Sequence, residues 1–156
     1  MATSHHENCI LLAEDNEADV YLAKLALRDH GLNHEIRVLG DGEEALTFLE
    51  RLEAEADAPN AVLMLLDLHL PKKDGLDVLR RLRSGPRGAG IPVMVLTSSD
   101  SPHERESAEG FEKVHFFKKP ASLDEYLVLG AIAKNLIGGR QGNARGASAG
   151  TASKNL

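Results

Sequence analysis

The chain has 156 residues, 42% hydrophobic and 27% charged, which suits one globular domain with a real core. Its net charge of −6 argues against a general nucleic-acid face or an anionic membrane surface as partner. A single cysteine excludes an intrachain disulfide framework, no apolar run approaches a membrane span, and the opening MATSHHENC has no hydrophobic signal core, so a cytoplasmic protein is expected.

Residues 1–7 read as a flexible terminus; His5 and His6 lack partners at metal-ligand spacing. Cys9 opens the first apolar run and reads as a buried, inert thiol. That run predicts a strand over 9–14 and ends in Glu14-Asp15. A helix over 17–30 follows, capped by Asn16 or Asp19 and closed by Gly31. A strand over 34–39 leads to a helix over 42–53, where Asp41 stands three residues before Glu44 as a capping pair.

The acidic stretch 53–60 is either a long connection or a helix extension. The next strand, 61–66 (AVLMLL), is apolar without alternation, as expected for a central strand covered on both faces. It ends in Asp67. Leu70-Pro71 stops the strand and Lys73-Asp74-Gly75 turns the chain into a helix over 75–83. Residues 84–90 (SGPRGAG) read as a flexible surface loop.

A strand over 92–96 ends at Thr97, and Ser101-Pro102 starts a helix over 102–109 ended by Gly110. The last strand, 114–118, runs into Lys119-Pro120, a candidate cis peptide that would aim the lysine inward. Ser122 caps a final helix over 123–137, and the Gly/Ala/Ser-rich segment 138–156 reads as a disordered tail. The folded domain is thus expected over 8–137.

Five alternations of strand and helix imply a (βα)5 doubly wound α/β fold with a parallel sheet. The carboxyl ends of parallel strands share one edge, where ligands bind. That edge gathers Glu14, Asp15, Asp67, Thr97 and Lys119. Carboxylates with one ammonium and one hydroxyl suit a hard divalent cation and a phosphoryl group.

Asp67 is the expected nucleophile, since a carboxylate accepts a phosphoryl group as an acyl phosphate. Mg²⁺ (or Mn²⁺) would neutralise the charge, with Asp15, Asp67 and the backbone carbonyl of His69 as ligands and Glu14 acting through water. Lys119 would pair with one phosphate oxygen and Thr97 would donate to another; Ser98 and Ser99 are small enough to leave the approach open.

At these residues the chain resembles the receiver domain of two-component response regulators. The resemblance runs from about Asn8 to Ile137 and is carried by LLAEDN, LLDLHLPKKDG, VLTSSD and FFKKP, in that order. It implies a flavodoxin-like sheet of order 2-1-3-4-5. It also implies that Asp67 accepts phosphate from a sensor histidine kinase, with Glu14 and Asp15 as the acidic pair. Thr97 and Phe116 would form the switch, with Phe116 standing where the family often has Tyr. Phosphorylation would then alter the face of the fourth helix, fifth strand and fifth helix.

The stretches AEDNEADVYLAKLAL and DLHLPKKDG are most similar to small single-domain regulators paired with bacterial phytochrome kinases. No output domain is evident, so contact with other proteins or phosphate relay is the expected output. The final helix is apolar nearly all round, which predicts a homodimer through it; a cover formed by the tail, or a kinase docking face, are the alternatives.

Three rivals stand beside this reading. An aspartate-nucleophile phosphatase of the haloacid-dehalogenase type needs a second acid two residues after the nucleophile, where this chain has His69. A flavin module needs a Ser/Thr/Gly-rich loop where this chain has Glu14-Asp15-Asn16-Glu17. A receiver-like adaptor that takes no phosphate is the third.

Overall fold

A computed structural model describes residues 8–98 and 101–145. Strands and helices alternate as β1 (Asn8–Ala13), α1 (Glu17–Asp29), β2 (Glu35–Leu39), α2 (Gly42–Ala54), β3 (Asn60–Asp67), α3 (Gly75–Ser84), β4 (Val93–Thr97), α4 (Pro102–Glu109), β5 (Val114–Lys118) and α5 (Leu123–Arg145). The sheet has order β2-β1-β3-β4-β5 with every pairing parallel, the flavodoxin-like α/β arrangement. Among the described residues no helix is long and apolar enough to cross a membrane.

Both faces of the sheet are covered, which explains the unbroken apolar run of β3. Met64 and Leu66 enter a core with Leu49 of α2 and Val78 and Leu79 of α3. Leu63 and Leu65 enter the opposite core with Leu27 of α1 and Tyr126 and Leu129 of α5. A register shift between Cys9 and Ile10 lets β3 carry one extra residue, Val62, against β1.

Side-chain caps start the helices. Asn16 accepts from the Asp19 amide (2.9 Å), Asp41 from Glu44 (2.8 Å), and Asp74 from Asp77 (3.1 Å). Of the two candidates for α1, Asn16 is therefore the cap. Gly31 takes the left-handed backbone that ends the first helix region, at φ +77°. Helices α1 and α5 lie very close: a Cβ built on Gly130 would sit 2.1 Å from the Ala26 carbonyl oxygen and 2.4 Å from His30 Nδ1.

Three expectations are corrected. Helix α5 continues past Ile137 to Arg145, into the segment read as disordered. Little apolar surface is needed there, because a formed helix adds one hydrogen bond per further residue at little nucleation cost. Residues 146–156, like 1–7, lie outside the described residues. Lys119-Pro120 is trans, since no cis peptide occurs among the described residues. The loop after α3 is tied down rather than loose. Glu53 accepts from the Arg87 and Gly88 amides at 3.0 and 2.8 Å, and Arg83 donates to the Gly88 carbonyl at 3.0 Å.

Candidate functional site

The register of the sheet brings the polar strand ends together. Ala13 of β1 pairs with Leu66, so Glu14 and Asp67 emerge side by side. Asp67 pairs with Leu96, one residue before Thr97, and Thr97 pairs with Lys118, one residue before Lys119. Lys119 is aimed by its backbone, whose N–H donates to the Thr97 carbonyl at 2.8 Å.

At the centre stands the Lys119 ammonium. Its Nζ lies 2.7 Å from Glu14 Oε1, 2.9 Å from Asp19 Oδ2 and 3.1 Å from Asp67 Oδ2. Glu14, Asp15 and Asp67 each offer a carboxylate oxygen within 4.8 Å of the others. Glu14 is almost wholly buried, Asp67 nearly so, and Asp15 is exposed. A spacing of this kind between carboxylates suits an oxygen-ligated divalent cation.

Backbone donors fix the acids in place. His69 N–H donates to Asp67 Oδ1 at 2.8 Å and Asn16 N–H to Glu14 Oε2 at 3.1 Å. Burial pushes the Glu14 carboxyl up to about 7, against the Lys119 bond that pulls it down. Burial also works against the Lys119 charge, but Glu14, Asp19 and Asp67 outweigh it and hold the ammonium above its ordinary range.

Of the two adjacent lysines, Lys119 enters the acidic site. Lys118 instead lines a cavity of roughly 130 Å³ with Leu68, Thr97, Glu104, Arg105 and Phe116. The Phe116 ring is half-buried beneath the Arg105 guanidinium, whose carbon lies 4.7 Å from the ring centroid. The His69 ring spans to α4, with Nε2 3.0 Å from Glu104 Oε2. Ser98 is exposed beside Thr97, and Ser99 lies outside the described residues.

Two further residues belong to the site that the sequence does not point to. From sequence Asp19 reads only as a helix cap, yet it reaches Lys119. Tyr126 of α5, almost fully buried, donates its hydroxyl to Asp19 Oδ1 at 3.3 Å. The available signals are position and polarity: Asp19 stands in the first turn of α1, which starts directly after Glu14-Asp15, and Tyr126 carries a polar tip in an apolar helix.

Comparison with known proteins agrees with this geometry. The family profile "Response regulator receiver domain" matches residues 10–129. Response regulator Rcp1 of Synechocystis is 42% identical over 96 residues, covering 62% of this chain and 65% of its own length, so the match spans less than two thirds of that relative. The crystal structure of the phosphorylated cyanobacterial phytochrome response regulator RcpA superposes with a TM-score of 0.73 at 34% identity, covering 85% of this chain and 95% of that one. The Mn²⁺-bound form of Rcp1 superposes with a TM-score of 0.70 at 34% identity, covering 80% and 90%. With five parallel strands in the order 2-1-3-4-5 and an acidic cluster beside a buried lysine at their carboxyl edge, this chain belongs to the response regulator receiver domain family.

Proposed function

We propose that this protein is a phosphoryl-accepting response regulator whose acceptor is Asp67 and whose donor is a sensor histidine kinase of the phytochrome type. The observation that carries the reading is the Lys119 ammonium bonded at once to acids from the ends of β1 and β3. In the transfer, an Asp67 oxygen bonds to phosphorus as the phosphorus–nitrogen bond to the donor histidine breaks. The imidazole leaves with the bonding electron pair.

Asp15, Asp67 and the His69 carbonyl would hold Mg²⁺ or Mn²⁺, with Glu14 acting through water. The ion supplies charge neutralisation between an anionic acceptor and an anionic phosphoryl group. The chain's own residues do the rest. Lys119 pairs with a phosphoryl oxygen, and Thr97 donates to another. The small side chain of Ser98 leaves the approach open.

The cavity beside Phe116 supports a switch on the α4-β5-α5 face. A cavity of about 150 Å³ is large enough to take a benzene ring, so the space between Thr97 and α4 is of the order needed to receive the Phe116 side chain. Thr97 drawn toward the phosphoryl group would open that space further, selecting one of two packings. On α5 the core takes Tyr126, Leu129, Ala133 and Ile137, while Val128 and Leu123 stay about half exposed. That leftover apolar face supports a homodimer through α5, which light scattering at several concentrations checks.

The test is labelling with a small acyl phosphate and Mg²⁺. Wild type should incorporate phosphate and Asp67→Asn should not, while keeping its fold. Label that survives Asp67→Asn assigns a different acceptor.

A further inference from the structure

We infer that Asp19, held by Tyr126, is a positioning residue that aims Lys119 at the phosphoryl group, a role that rests on the assignment of Asp67 as acceptor. A lysine ammonium has three N–H donors on a flexible four-carbon stem. Here all three have carboxylate partners: Glu14, Asp19 and Asp67. Two of these legs are independent of the acceptor. Glu14 is fixed at the end of β1 by the Asn16 amide, and Asp19 is fixed on α1 by the Tyr126 hydroxyl.

Only the third leg must change when Asp67 becomes an acyl phosphate. The bond to Asp67 Oδ2 is then exchanged for one to a phosphoryl oxygen, while the other two legs keep the ammonium in place. Nothing else among the described partners of Lys119 does this work from α1. Tyr126 acts through Asp19 and not on Lys119 directly. Its ring is further fixed by an edge contact with Phe117, with centroids 6.1 Å apart. The tripod therefore ties the acceptor site to the packing of α1 against α5.

Charge and aim predict opposite signs, which makes the role testable. Removing a negative charge would by itself speed reaction with an anionic donor. Losing the aim of Lys119 would slow it. The experiment follows phosphorylation of the full chain by a small acyl phosphate, with Mg²⁺ saturating for each variant and melting curves recorded alongside. Asp19→Ala is expected to react about tenfold more slowly, as misplacement of a reacting group commonly costs that much or more. Asp19→Asn, whose amide oxygen still accepts one N–H, should fall between the two. Tyr126→Phe should slow the reaction less than Asp19→Ala. The double variant should be no slower than Asp19→Ala alone, because the hydroxyl works only through Asp19.

Wild-type or faster rates in both Asp19 variants overturn the inference, as do Asp19 and Tyr126 effects that multiply. Failure of the underlying assignment looks different: wild type itself stays unlabelled, or Asp67→Asn remains labelled.

Discussion

The Lys119 ammonium bonds Asp67 at 3.1 Å although β4 lies between their strands. One cation thus faces three carboxylates with only 12% of its side chain exposed. Lys119→Met leaves those acids uncompensated and should cost about 3–5 kcal/mol, the usual penalty for breaking a buried ion pair by removing one partner. Added Mg²⁺ should recover a larger stability increment than in wild type. Thermal melting with and without Mg²⁺ measures both; equal melting of variant and wild type in the absence of the ion would sink the claim.

Asp67→Asn should act the other way. Glu14, Asp15, Asp19 and Asp67 outnumber Lys119, so neutralising one acid relieves repulsion. The variant should melt higher than wild type without divalent ions and gain less from Mg²⁺. An unchanged Mg²⁺ increment would count against Asp67 as a ligand.

The loop after Asp67 depends on backbone contact that leaves no room for a side chain. A Cβ on Gly75 would lie 2.5 Å from Leu68 Cα and 2.6 Å from the Asp67 carbonyl oxygen. Gly75→Ala should destabilise the fold by about 1–3 kcal/mol, as overpacking generally does, and should slow phosphorylation by displacing the acceptor. Gly90→Ala, where a Cβ meets nothing within 4 Å, is the control and should leave both unchanged.

Cys9 supplies a pH dependence with a definite sign. The thiol is fully buried, and burial pushes it from 9.0 up to about 11. Between these values the unfolded chain loses the proton and the folded chain keeps it. The folded state then binds more protons, so stability is complete below pH 9 and falls as pH rises toward 11, by about 2–3 kcal/mol for two units. Unfolding at pH 8 and 10.5 should show a smaller loss for Cys9→Ala than for wild type. Maleimide should also label the native thiol slowly at pH 8.

Much of the fold was legible because local signals and global topology agree. The seamless apolar character of β3 reflects two real cores, and capping residues mark where α2 and α4 begin. Strand order came from the family resemblance, not from periodicity. The acids and Lys119 were legible because strand ends of a parallel sheet share an edge. Asp19 is hidden because its proximity to Lys119 spans 100 positions in sequence and depends on the first turn of α1 meeting the segment after β5. The length of α5 is not legible because residues 138–145 offer almost no apolar surface, and nothing in their composition signals that a helix already formed runs on.

The absent side chain at Gly130 has a mechanical outcome. With Ala26 and His30 pressed where a methyl would stand, α1 and α5 cannot slide past each other without opening their seam. Helix α4 is seated far more lightly, contributing only Ala108 to the buried interior. The two sides of the sheet are thus unlike at their helices: a seam between α1 and α5 closed to the width of a hydrogen on one, a lightly rooted α4 on the other.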